Sequence, residues 1–210
     1  MSAFNMLTRR NFVAATGATA LTPHAFAEAL LKTPKQVEGP YYPDRMPMDT
    51  DNDLLIINNN TSQAVGEVTH LGGRILDRRG DPIRNAVVEI WQVDNEGVYL
   101  HTKDQRPKAD KNFQGFGRFL TGSKGQYYFR TIKPVQYGKQ RPAHIHYAIY
   151  RGGKRVLTTQ CYVSGDERLA TDRLVKRSGP LKNNPLIVQF LPIKESKLGE
   201  LHAHFDIVLD

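Results

Sequence analysis

A chain of 210 residues, 40% hydrophobic and 24% charged, is long enough to bury one sizeable core and has the composition of an ordinary globular domain. No apolar run reaches the roughly 20 residues that a membrane-spanning helix needs. The formal charge is +8, but the lysines and arginines are scattered with no dense cluster interleaved with aromatics, which argues against nucleic-acid binding.

The first 27 residues, MSAFNMLTRRNFVAATGATALTPHAFA, read as an export signal. Arg9 and Arg10 precede a mildly apolar stretch from Phe12 to Leu21, and Ala25-Phe26-Ala27 is a small-x-small cleavage site. TRRNFV resembles a twin-arginine signal, an address read by a receptor and not an anchor. It implies export of an already folded, cofactor-loaded protein to the periplasm or beyond. Losing Arg9 and Arg10 with this segment lowers the formal charge to +6. Cys161 is the only cysteine, so no internal disulfide can form; next to Tyr162 in a strand pattern it reads as a buried small hydrophobe.

After the signal, EALLKTP (28–34) is helix-prone. EGPYYPDRMPMDTDNDL, with prolines 40, 43 and 47, is a loop. Asp49, Asp51 and Asp53 alternate there, but the glycine and distal glutamate of a calcium loop are missing, so the segment reads as solvated. From residue 66 the pattern is β. GEVTHLGGRILD leads through the turn RRGDPI to NAVVEIWQVD, where Val87, Glu89 and Trp91 alternate with Val88, Ile90 and Gln92. Trp91 reads as core packing. DNEG is a turn into VYLH, and GRFLTGSKGQYYFRTI is two short strands around SKG. RPAHIHYAIYRGGKRVLTTQCYV is a hairpin around RGGK; ERLATDRLVKR is helix-like; NPLIVQFL and HAHFDIVL close the chain as strands. Short strands between glycine turns predict an all-β chain, an antiparallel β-sandwich with short helical and loop insertions.

Two His-x-His pairs stand in these strands. Residues i and i+2 of a strand share a face, so His144 and His146 project together while Ile145, Tyr147 and Ile149 form the core side. His202 and His204 have the same spacing, but Asp206 continues their face and Ala203, Phe205 and Leu209 lie opposite, which reads as a solvated strand face. His204 and Asp206 match half of a facial iron triad, with no third histidine marked out. Near the first pair lie Arg141 and Pro142, Tyr137 in a glycine-containing loop, and Tyr99 just past the Asn95–Gly97 turn. No cysteine or conspicuous carboxylate accompanies them, as a zinc site would want. A free phenol ionises only near pH about 10, so a tyrosine ligand needs a strongly Lewis-acidic, hard cation, and ferric iron is the candidate.

EIWQVDNEGVYLH, NFQGFGRFLTGSKGQYYFRTIKP, Tyr137 followed by RPAHIHY, TTQCYVSGD and the closing FDIVL together resemble the intradiol ring-cleavage dioxygenases, in particular the iron-bearing subunit of the protocatechuate 3,4-dioxygenases. The match runs from about residue 38 to 209 and makes 28–210 one catalytic domain. The resemblance implies Fe(III) held by Tyr99, Tyr137, His144 and His146, with Arg141 beside the iron and Gln160 orienting it. Tyr41 or Tyr42 corresponds to a pocket-lining tyrosine. It implies cleavage of a small aromatic diol between its two hydroxylated carbons, with both atoms of O2 entering a cis,cis-muconate. Tyr137 would be the phenolate that takes a substrate proton, and Arg141 would stabilise negative charge.

Two features depart from the family pattern: the segment between Tyr137 and Arg141 is only GKQ, shorter than in the protocatechuate enzymes, and an export signal is present. Ring substituent, a second subunit type and oligomeric state, a homo-oligomer included, are left open by the sequence. Two rival readings remain at this point. GRILDRRGDPIRNAVVEIWQVD also looks like strands of transthyretin-like modules, which bind without catalysis. A copper or zinc sandwich protein could use His144 and His146.

Overall fold

The computed structural model describes residues 29–210 apart from 48, 59–60, 105–107 and 139; the export signal expected over 1–27 lies outside the described residues. Among the described residues, ten strands form two five-stranded sheets. The first sheet has β1 (Val68–Leu76) at its centre. It pairs with β4 (Gln126–Ile132) on one side and with β9 (Leu201–His204) and β10 (Ile207–Val208) on the other, and β8 (Phe190–Pro192) lies beyond β9. The second sheet runs β3 (Phe116–Leu120), β2 (Val87–Trp91), β5 (His144–Arg151), β6 (Lys154–Val163), β7 (Ile187–Val188). Between β6 and β7 lie a 3-10 turn (Glu167–Ala170) and the helix α1 (Arg173–Ser178), capped by Asp166 and Asp172.

The main core fills the space between the sheets. Leu71 and Ile75 of β1 and Phe129 of β4 meet Val88 and Ile90 of β2, Ile145, Tyr147 and Ile149 of β5, and Cys161 of β6. This is the alternation expected of strands with one face buried. Gly73 is required by close approach: a Cβ there would stand 2.1 Å from the Phe205 carbonyl oxygen. Cys161 is fully buried in this core. His202 and His204 are exposed while Ala203 and Phe205 are buried, as the solvated-face reading requires.

The structure departs from the sequence reading in four places. The sheets are mixed: β1 pairs in parallel with β9 and β10, and β6 with β7, because the last strands are inserted beside strands laid down much earlier. NPLIVQFL is not one strand but β7 and β8, one in each sheet. VYLH makes only an isolated bridge, Val93 to Tyr99. The helix expected over 28–34 does not form over its described residues. Leu30, Thr33 and Gln36 instead donate their N–H groups to the carbonyls of Arg78, Val208 and Thr158, so the segment is an extended strap tied across the sandwich. Those tertiary hydrogen bonds outweigh a propensity worth only tenths of a kcal/mol, roughly, per residue. Among the described residues no helix is long and apolar enough to cross a membrane.

Candidate metal centre

The outer face of the second sheet carries a smaller cluster, separate from the core: Trp91, Val93, Tyr99, Phe116 and Ala148, with Tyr41, Tyr42, Val135, Tyr137 and Tyr150 packed against it. His144 and His146 belong to this face. Strand register places Trp91 and Gln160 on either side of His146, and Tyr162 beside His144. Trp91 is therefore buried as the sequence suggested, but as a wall of this site and not as part of the main core.

Local backbone chemistry delivers the third donor. Asp94 accepts from the N–H groups of Glu96 and Val98, and Gly97 adopts φ +76°, which closes a tight turn and bridges Val93 to Tyr99. Asp104 then accepts the Tyr99 N–H at 2.9 Å. The Tyr99 hydroxyl ends 3.0 Å from His146 Nε2 and 3.3 Å from His144 Nε2, and the two imidazole nitrogens are 3.1 Å apart. Bonds of about 2 Å from nitrogen and oxygen donors to one metal ion place neighbouring donors about 3 Å apart, so this triangle fits a shared ion.

The chemistry of the donors agrees. His144 Nδ1 lies 2.6 Å from the Pro142 carbonyl, which can only accept, so Nδ1 carries the proton and Nε2 presents its lone pair. Burial, helped by the Arg141 charge, lowers the His144 pKa to about 4; burial, then His144 and Arg141, lowers that of His146 well below its ordinary value. Both rings are thus neutral and could each offer Nε2 to a metal. Burial pushes the Tyr99 phenol up, partly offset by Arg141, so only a bound cation would make it a phenolate near neutral pH. Among the described residues no group of three or more His, Cys, Asp and Glu could hold a metal, so an ion here would depend on tyrosine.

Tyr137 is half-buried, its ring 5.1 Å from that of Tyr99 and 5.6 Å from that of Tyr41. Tyr137 and Arg141 exchange reciprocal backbone hydrogen bonds, and Arg168 Nη1 donates to the carbonyls of Gly138 and Arg141. Arg141 Nη2 donates to Gln160 Oε1 at 2.7 Å and lies 3.4 Å from the Tyr162 hydroxyl. Its Nε is 2.9 Å from Asp172 Oδ2, an ion pair without the N–H aligned for a hydrogen bond. Gln160, fully buried, also accepts from Tyr162 and donates to the Val37 carbonyl of the strap. The structure therefore brings all six sequence-predicted residues to one face.

The 38–44 loop covers them. Tyr41 stacks on Tyr99 at 5.0 Å, whereas Tyr42 donates to the buried carboxylate of Glu89, itself held by Arg118. Of the two candidates, Tyr41 is the one that faces the donors. Three contributors were not read as part of the site in the sequence: Glu89, Tyr162 and Asp172. Only Glu89, a carboxylate in an otherwise apolar strand, carried a signal.

A family model described as Dioxygenase matches residues 37–210. The chain belongs to the intradiol dioxygenase family. It is 37% identical over 175 residues to the protocatechuate 3,4-dioxygenase beta chain of Burkholderia cepacia, covering 79% of this chain and 73% of that one. It is 34% identical over 152 residues to a catechol 1,2-dioxygenase of Acinetobacter baylyi, covering 64% of this chain but only 47% of that one. The dioxygenase domain of a dioxygenase carbohydrate-binding fusion from Streptomyces sp. SirexAA-E superimposes with a TM-score of 0.64 at 30% identity, covering 85% of this chain and 98% of that one. As an intradiol dioxygenase the chain is an enzyme, and membership sets aside the reading as a transthyretin-like binding module.

Proposed function

We propose that this intradiol dioxygenase holds one non-haem Fe(III) on Tyr99, Tyr137, His144 and His146 and cleaves a catechol-type ring between its hydroxylated carbons, with O2, to a cis,cis-muconate-type product. The observation that carries the reading is the convergence of the Tyr99 hydroxyl and the two Nε2 atoms within 3.0–3.3 Å of one another. Bound Fe(III) would supply the Lewis acidity that chelates both catechol oxygens and opens the ring to O2.

The chain's own residues do the rest. Tyr137, less buried than Tyr99, takes a catechol proton as substrate arrives. Arg141 stabilises negative charge on the substrate, in a site where Gln160 and Asp172 fix the guanidinium. Tyr41 roofs Tyr99 and keeps water from it.

Relatives are named for catechol, protocatechuate and hydroxyquinol, which differ in ring substituent. The test is oxygen uptake by the iron-loaded enzyme on a panel of those three diols and chlorinated catechols. At least one should be cleaved with one O2 consumed per ring; no uptake on any would refute the reading. The paired arginines of the N-terminal segment support export by the twin-arginine route. Fractionation of cells expressing the full chain and an Arg9→Lys/Arg10→Lys variant tests this: the variant should stay in the cytoplasm.

A further inference from the structure

Beside Arg141 a cavity of about 690 Å3 opens, lined by residues of the 140–141 segment, the 3-10 turn and α1. Four guanidinium groups line it: Arg141, Arg168, Arg173 and Arg177. The one carboxylate in its wall, Asp172, is buried and already engaged, accepting the N–H groups of Leu174 and Val175 and pairing with Arg141. Arg173 and Arg177 are exposed, and no ion pair involving either is present among the described residues. The half-buried Leu174 gives the cavity an apolar floor.

Helix energetics make this placement costly without a ligand. Arg173 and Arg177 are four residues apart on one helix face, a like-charge spacing that destabilises a helix. Arg173 also sits in the first turn, where the helix dipole disfavours a cation, and no acidic residue accompanies it there. Gathering Arg168, Arg173 and Arg177, none of them in an ion pair among the described residues, around one concavity compounds the cost. A bound anion reverses all three effects, and planar guanidinium forks match carboxylate or sulfonate oxygens in pairs.

We propose that this cavity is an anion-binding site for a small organic acid, its anionic head between Arg173, Arg177 and Arg168 and its apolar body over Leu174. The site does not depend on the iron or on the ring-cleavage reading, since Arg173 and Arg177 take no part in the candidate metal centre and Arg168 meets it only at the Gly138 and Arg141 carbonyls.

The probe is benzenesulfonate, an aromatic anion that is a poor iron ligand, titrated calorimetrically into the iron-loaded full chain at low salt. Neutral benzyl alcohol and inorganic sulfate serve as comparisons. Saturable one-to-one binding is expected for benzenesulfonate, weaker binding for sulfate and none for benzyl alcohol. Binding should weaken as sodium chloride is raised. Arg173→Gln/Arg177→Gln, two exposed positions, should raise the dissociation constant at least about tenfold. It should also abolish the rise in unfolding temperature that benzenesulfonate gives the unmodified enzyme. Sulfate binding as tightly as benzenesulfonate would keep the anion site but remove the organic-acid assignment. Unchanged affinity in the double variant, or heats that never saturate, would overturn the proposal.

Discussion

The indole of Trp91 lies parallel to the imidazole of His146, with 4.8 Å between ring centroids and 8° between planes. This stack, and not a hydrogen bond at Nδ1, orients the ring: among the described residues His146 Nδ1 is buried with no partner, and a Cβ added at Gly39, at φ +75°, would stand 3.6 Å from Cε1. His144 is held differently, by its Nδ1 bond to Pro142. The two imidazoles on one strand thus rest on unrelated supports.

Replacing the stacking partner should therefore release one ligand. Trp91→Leu is expected to lower iron affinity roughly 10–100-fold, the usual cost of losing a group that orients a metal ligand. Trp91→Phe, which keeps a ring in place, should lose less. Chelator competition measures both; equal affinity in Trp91→Leu and the unmodified enzyme would mean that the stack does not position His146.

Arg141 touches Gln160, Tyr162 and Asp172 at once, which needs a planar fork with several donors. A lysine ammonium is a point charge and cannot hold all three. Arg141→Lys should reduce kcat/KM on the best diol roughly hundredfold, in line with loss of one charge-stabilising donor, with the melting temperature little changed. Steady-state kinetics beside a thermal melt would show whether activity survives the exchange.

The strand pattern of the sequence carried most of the fold, since Val88, Ile90, Ile145, Tyr147 and Ile149 alternate as a half-buried sheet requires. What it could not carry was long-range. The strap over 29–38 is extended because of carbonyls supplied by residues about 50 to 175 positions away, and β9 and β10 run parallel to β1 for reasons invisible in either segment. The same holds in the site. The spacing of His144 and His146 shows a shared face, but Trp91 as the neighbour of His146 follows only from the register of β2 against β5. The choice between Tyr41 and Tyr42 turned on which could reach Glu89.

Gly73 offers a test of the packing between β1 and the chain's end. An alanine methyl there would meet the Phe205 carbonyl oxygen and the Tyr127 hydroxyl, both in well-packed surroundings. Gly73→Ala should cost about 1–3 kcal/mol of stability, as overpacking of a dense interior does. Urea denaturation would detect this as a lower midpoint; an unchanged midpoint would show that the sheet relaxes around the methyl.

Burial pushes the Cys161 thiol well above its ordinary pKa, and its side chain is fully enclosed. The native enzyme should leave a thiol-specific chromogenic reagent unreacted at pH about 8, and should release one equivalent once unfolded in guanidinium. Rapid labelling of the folded protein would contradict its place in the core.

In the proposed function, tyrosine oxygens and paired imidazoles share one ferric ion. The most direct measurement is the visible and resonance Raman spectrum of the iron-loaded enzyme beside Tyr99→Phe and Tyr137→Phe. A phenolate-to-iron charge-transfer band with tyrosinate vibrations is expected, changed in each single variant and lost when both are combined. A folded, iron-loaded protein without that band, or one whose band survives both substitutions, would contradict it.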